Sequence, residues 1–252
     1  MGQSVLITSG KGGTGKTSLT AGMSACLAAL GKQVICLDAD VGLRNLDITL
    51  GMAEHSSLDF LDVIKDPSKA EDALIKHDKI PNLRFMPAPI DIVPGSISKA
   101  AFKSLIRQLA EEADYVFVDG PAGIGEAFEL SVSACDSAIL VATPDPLAIR
   151  DASLAVQKLV SHDPVWLVLN RVRPKLVRLQ YSINMDDAMD MIGLPLLGIV
   201  PEDEIVMAAA SKGIPVILAA STGAAVSYLN IAKRFLGEQL PLEHMKVWTI
   251  SS

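Results

Sequence analysis

Short apolar runs alternate with longer stretches of helical spacing along the chain. The runs are SVLITS (4–9), QVICLD (33–38), 83–86, YVFVD (115–119), SAILVAT (137–143), VWLVLN (165–170) and LLGIV (196–200). Each is apolar on successive residues, as expected of strands covered on both faces. Between them, 16–30 reads as a helix closed by Gly31, and 98–112 places Ala101, Leu105, Ile106 and Leu109 on one helical face. Further helical segments are expected at 126–134, 147–161, 182–192, 203–211 and 222–236. Strands alternating with helices imply right-handed crossovers. The pattern predicts a single-domain, doubly wound α/β fold, its mostly parallel sheet carrying helices on both faces. Ligands of such folds bind at the carboxyl ends of the strands. That directs attention to Gly10, Asp38, Asp119, Thr143, Asn170 and Pro201.

Composition narrows the class. Half of the 252 residues are hydrophobic and only 4% are aromatic, which excludes a disordered chain. A chain of this size buries roughly 70% of its extended surface, enough for one large core. Cys26, Cys36 and Cys135 form no CxxC pair and no even framework, so they are expected to be small buried apolar residues in a reducing cytoplasm. No leader, myristoylation pattern or bilayer-spanning stretch is expected. The formal charge of −7 argues against general nucleic-acid binding. Arg171, Arg173, Lys175 and Arg178 are expected to be a solvated loop rather than a DNA-binding patch.

The most specific chemistry lies after the first run. Gly10, Lys11, Gly12, Gly13, Thr14, Gly15, Lys16 and Thr17 spell GxxxxGK[ST] between a predicted strand and a predicted helix. Glycines there let backbone N–H groups converge on phosphate oxygens, aided by the helix dipole. Lys16 supplies a point charge to the β and γ phosphates, and Thr17 offers its hydroxyl to Mg²⁺. Position 18, the next residue along, is counted as a threonine beside these cofactor-binding positions and is given no contact of its own. A dinucleotide loop would want GxGxxG without the following Lys-Thr. Lys11 reads equally well as a solvated loop charge or as a second cation for phosphate, its own or a neighbour's.

Two apolar runs end in carboxylates, Asp38 and Asp119. Mg²⁺ keeps waters and phosphates among its ligands, so a strand-end aspartate beside a phosphate loop suits water-mediated contact. Asp119 is given that role, with Asp38 in support. Asp40, one step further into the loop, can orient an attacking water. Asp47 is expected to be a helix-surface charge. The segment 119–123 (DGPAG) reads as an ordinary turn or as a loop that changes shape with the γ-phosphate.

GKGGTGKT with its early lysine resembles the deviant Walker A motif of the MinD/ParA family of P-loop ATPases. DADVGLRNLDITLGM and VFVDGPAGIG resemble the family's switch I and switch II. PDPLAIRDA, with Arg150 and Asp151, and GIVPEDEIVMAAASKGIPV are also similar, and the likeness spans roughly residues 3–237. LRNLD is more specific to the septum-placing branch than the phosphate loop is. The resemblance implies ATP with Mg²⁺ and a face-to-face homodimer in which Lys11 reaches the partner's phosphates. It implies a catalytic set of Lys11, Lys16 and Asp40. It also implies adenine contact by Asn170 and Arg171, with Pro201, Glu202 and Asp203 nearby. The output it implies is division-septum placement, through a membrane-bound ATP dimer that recruits a MinC-like inhibitor of FtsZ assembly. A MinE-like or DivIVA/MinJ-type regulator would accompany it.

The chain departs from the family at LQYSINMDD (179–187) and at its end, where the usual basic amphipathic helix is replaced by GEQLPLEHMKVWTISS with Lys246 as its one lysine. Residues 1–237 are therefore expected to be the ATPase domain and 238–252 a tail making weak contact with the inner face of the cell membrane. Leu242, Met245, Val247 and Trp248 would give that tail an apolar stripe, with Glu243 offsetting Lys246. Other family functions are a ParA-type DNA or plasmid partitioning ATPase and an FlhG-like flagellar-number ATPase. The absence of a CxxC pair argues against an iron–sulfur carrier.

Overall fold

The computed structural model describes residues 1–41, 44–53, 58–90, 95–159 and 161–242. Its eight strands are β1 Gln3–Thr8, β2 Val34–Asp38, β3 Ile75–Lys76, β4 Leu83–Met86, β5 Tyr115–Asp119, β6 Ser137–Ala142, β7 Val165–Val172 and β8 Leu196–Pro201. They form one sheet in the order β3-β4-β2-β5-β1-β6-β7-β8. Every pairing is parallel except that of β3 with β4. The helices are α1 Lys16–Ala29, α2 Leu46–Leu50, α3 Phe60–Lys65, α4 Ala70–Ala73, α5 Lys99–Glu111 and α6 Glu126–Ala134. They continue as α7 Pro146–Val156, α8 Pro174–Arg178, α9 Met185–Ile192, α10 Glu204–Ser211, α11 Val216–Ala219 and α12 Ala224–Phe235.

Strand alternation builds two cores from the same short runs. Leu6, Ile35, Leu37, Val116 and Val118 face a layer containing Phe102, Leu105, Ile106 and Phe128. Their neighbours Val5, Ile7, Cys36 and Phe117 face a layer containing Leu19, Met23, Tyr228 and Ile231. The helix α12 crosses α1 where Gly22 has no side chain: a Cβ there would lie 2.6 Å from the Tyr228 ring. Winding reverses at β1, whose neighbours are β5 and β6, so its carboxyl end is the switch point of the sheet.

Helix ends follow their capping residues. The expected 98–112 helix begins after Ser98, whose hydroxyl accepts from the Ala101 N–H at 3.1 Å. The expected 182–192 helix starts later, because Asn184 caps it by accepting from the Asp187 N–H at 2.9 Å. Gly31 and Gly237 are left-handed just beyond α1 and α12, as their positions predict. Strand β3 and the short helices α3, α4, α8 and α11 go beyond the sequence expectations; each has too few residues to show a period. Cys26 and Cys36 are buried, and burial pushes both thiols up to about 12; Cys135 is half-buried. Among the described residues no helix is long and apolar enough to cross a membrane. The tail positions Glu243, Met245, Lys246, Val247 and Trp248 lie outside the described residues.

Candidate functional site

The chain leaves β1 fully buried and turns through residues 9–15 into α1. Gly13 and Gly15 adopt φ of 77° and 95°, a conformation that side chains resist. Gly10 is required for a different reason: a Cβ there would overlap the backbone of Asp151 in α7. The Ser9 hydroxyl donates to the Lys11 carbonyl at 2.7 Å. Helix α1 opens with no side-chain cap and no acidic residue in its first turn. Its leading N–H groups are thus available to an anion. Lys16 is only 7% exposed at that helix end.

Asp38 and Asp119 stand side by side at the ends of β2 and β5. Both are 1% exposed. The Thr20 hydroxyl donates to Asp119 Oδ1 at 3.1 Å, and the Thr17 hydroxyl is close enough to favour the charged form of this carboxylate. Position 18 is corrected in identity: the residue after Thr17 is Ser18, not a threonine. Thr17 and Thr20 are three apart and share a helix face, whereas half-buried Ser18 lies about 100° round α1 from Thr17, off the face that meets Asp119. One hydroxyl beside one strand-end carboxylate fits Mg²⁺ that takes its other ligands from phosphate and water. Among the described residues no group of three His, Cys, Asp or Glu side chains is arranged to hold a metal unaided. Asp38 is engaged differently: Oδ1 accepts from the Asp40 N–H at 2.9 Å and Oδ2 from the Leu46 N–H at 3.3 Å. It can therefore shape the loop between β2 and α2 beside Thr17 and Asp119. Asp40 is half-buried, and its carboxylate has no hydrogen-bond partner among the described residues. Burial raises its pKa and the nearby Lys16 opposes the rise.

Burial, reinforced by Asp119, pushes Asp38 up to about 7. Burial also pushes Asp119 up to about 6 against the pull of Thr17, Lys16 and Thr20. The nucleotide-free folded protein then holds more protons on this pair than the unfolded chain does between about pH 4 and 7. The stability contributed by the protonated pair is present at the acid end of that window and is lost as pH rises through about 6 to 7. An Asp38→Asn variant lacks its share of this dependence. The melting-temperature advantage of the wild type over Asp38→Asn should shrink from pH 5 to pH 8 in nucleotide-free melts. An advantage that grows with pH would contradict the assignment.

Asp47 corrects the expectation of a surface charge. It is 5% exposed, with Oδ1 accepting from the Ile48 N–H at 2.7 Å and Oδ2 3.5 Å from Arg44 Nε. The helix α2 is one turn long and packs on α1 and α10, which leaves its first turn little solvent-facing surface.

Lys11 is neither loose nor turned onto its own loop. Its Nζ lies 3.1 Å from Asp145 Oδ1, with both side chains partly exposed. Asp145 caps α7 by accepting from the Ala148 N–H at 2.9 Å, and the Thr143 hydroxyl donates to its other oxygen at 2.6 Å. The segment 119–123 lies alongside: a Cβ on Gly12 would be 3.7 Å from the Ala122 Cβ, and the Gly120 N–H donates to the Ile7 carbonyl at 2.9 Å.

On the other side of the loop, Asn170 is 5% exposed and Arg171 is exposed with φ of 55°. Pro201 ends β8, and the exposed Glu202 pairs with Arg173. Asp203 holds two helix ends at once, accepting at 3.0 Å from the Ile205 N–H of α10 and from the Ala224 N–H of α12. Its carboxylate therefore positions the segment after β8. Arg171, Arg173, Lys175 and Arg178 are all exposed as expected, the last two on α8. Sequence reasoning missed Thr20 and Asp145. Asp145 carried a legible signal, an aspartate directly before a proline at a helix start. Thr20 carried only its three-residue spacing from Thr17.

The family model of the CobQ/CobB/MinD/ParA nucleotide-binding domain matches residues 5–216. The septum site-determining protein MinD of Synechocystis sp. is 37% identical over 244 residues, covering 96% of this chain and 92% of that protein. A chain of the MinC:MinD cell division protein complex of Aquifex aeolicus superposes with a TM-score of 0.88 at 32% identity, covering 95% of this chain and 98% of that one. The septum site-determining protein MinD of Pyrococcus horikoshii, solved with Mg-ADP, gives 0.81 at 26% identity, covering 95% and 100%.

Proposed function

The chain belongs to the CobQ/CobB/MinD/ParA nucleotide-binding family and is an ATPase that works with ATP and Mg²⁺; from that premise we propose that it is an ATP-switched dimer that places the division septum. Lys16 and the loop glycines hold the phosphates, with Lys11 added from the neighbouring subunit. Thr17 binds Mg²⁺ directly, Asp119 does so through water, and Asp38 braces the loop. Asp40 orients the attacking water. Asn170 and Arg171 meet adenine, beside Pro201, Glu202 and Asp203. The ATP dimer recruits a MinC-like inhibitor of FtsZ assembly, and a MinE-like or DivIVA/MinJ-type regulator releases it. The observation that carries the reading is the likeness to septum-placing proteins over nearly the whole chain, 37% identity across 96% of it.

The Lys11–Asp145 pair suits this cycle, because Lys11 has to leave Asp145 before it can serve a second subunit. An exposed ion pair of this kind is worth about 0.2–1 kcal/mol. Asp145→Asn keeps an oxygen for the α7 cap and removes the pair. Each of the two subunits gives up one such pair, so the change should tighten the ATP-bound dimer by about two- to thirtyfold in sedimentation equilibrium. Weaker dimerisation would show that Asp145 serves the dimer rather than the monomer.

The tail 238–252 is proposed as a weak membrane contact. One such tail holds poorly and two on a dimer gain avidity, on the order of 10²-fold or more when both engage. Full-length protein should pellet with anionic vesicles in ATP and stay in solution in ADP. A chain ending at Glu238 should stay in solution in both. Full-length protein that fails to pellet in ATP, or binding that survives truncation, would remove the membrane step.

A further inference from the structure

Strand β7 is irregular where it reaches the site. Leu169 pairs with Ile199 and Val172 with Pro201, so β7 carries one extra residue between these pairs. The irregularity falls at Asn170 and Arg171, and Arg171 takes the left-handed φ of 55° without being glycine. A bulge of this kind re-aims a side chain, and a left-handed non-glycine residue costs free energy that surrounding structure has to offset. The side chain re-aimed here is Asn170. Its Nδ2 reaches past the end of β6 and donates to the Thr14 carbonyl at 2.7 Å. Gly15 leaves the room, since a Cβ there would overlap the Asn170 amide. The amide thus grips the loop two residues before Lys16.

We propose that Asn170 is a positioning residue of the phosphate loop: its amide N–H fixes the Thr14 carbonyl, and thereby the turn that presents Gly15 and Lys16 to phosphate. The bulge and the backbone of Arg171 exist to deliver this hydrogen bond. The inference rests on the nucleotide site and adds to adenine contact by the same residue. An amide oxygen turned to the base and an amide nitrogen turned to the loop would make one side chain sense both ends of the nucleotide. A residue that serves adenine alone acts only through the base.

The probes are ATP and purine riboside triphosphate, which lacks the 6-amino group and so cannot donate to Asn170. The variants are Asn170→Asp, which is isosteric but faces the Thr14 carbonyl with an oxygen, and Asn170→Ala, which removes the donor without adding charge. A loop that no longer holds Gly15 and Lys16 in place before nucleotide arrives should lose about tenfold in affinity, the cost of ordering it on binding. Both variants should therefore bind both triphosphates about tenfold or more weakly by calorimetry. Amide hydrogen exchange at Gly13, Thr14, Gly15 and Lys16 in the nucleotide-free variants should quicken relative to wild type. A loss confined to ATP, with purine riboside triphosphate affinity and loop exchange unchanged, would make Asn170 a base contact only and overturn the proposal. Unchanged affinity for both triphosphates would overturn it as well. If one variant does not fold, the other is read alone by the same criteria. Failure of the septum-placing role leaves these readouts untouched, because they need neither a dimer nor a membrane.

Discussion

Lys16→Ala is expected to abolish nucleotide binding while leaving the fold intact. Lys16 is the first residue of α1 and only 7% exposed, so its charge meets an anion in a partly desolvated site. Two unit charges about 4 Å apart at an effective dielectric of ~20 interact by about 4 kcal/mol, or roughly 10³-fold in affinity. The loss is compounded by Asp40 and Asp119, whose carboxylates feel the Lys16 charge. Without it those acids face the polyphosphate unbalanced. Alanine is the best helix former, so α1 itself does not suffer. Calorimetric titration with Mg-ATP reads the effect directly, and unchanged affinity would refute the phosphate-loop assignment.

Asp40→Ala is expected to bind ATP and fail to hydrolyse it. Asp40 contributes its backbone N–H to Asp38, and alanine keeps that bond, so the loop after β2 retains its shape. What is lost is the carboxylate, half-buried and unengaged among the described residues, where a water can be held for attack. Removing a group that positions or deprotonates the nucleophile costs typically 10²–10⁴-fold. Single-turnover hydrolysis should fall by about that factor while ATP affinity changes little. Turnover at the wild-type rate would assign the water-positioning role elsewhere.

The strands and long helices were legible because apolar runs and helical periods are local signals. The short run of 4–9 predicts β1 whichever neighbours it finds, and GxxxxGK[ST] announces the loop that follows. What was illegible depends on contacts between distant segments. Gly10 is explained by the backbone of Asp151, well over a hundred residues away. Asp47 looked like a solvated charge because nothing local shows that α2 packs on α1 and α10; its pairing with Arg44, three residues earlier, is local, but the burial that comes with those distant helices is not. Asn170 stood out only through its place after a strand and through family likeness. Its bond to Thr14 arises from a bulge in β7, which pattern reading passes over because one extra residue does not disturb an apolar run. Lys11 could be read two ways until Asp145 was seen beside it.

The switch itself is tested most directly by the mass of the Asp40→Ala protein in solution, read by light scattering with Mg-ATP and with Mg-ADP. Slow hydrolysis holds the ATP state long enough to weigh. The account predicts twice the monomer mass in ATP, the monomer mass in ADP, and loss of the dimer when Lys11→Ala is added to Asp40→Ala with ATP still bound. The same mass in both nucleotides, or dimers of equal affinity with and without Lys11, would contradict it.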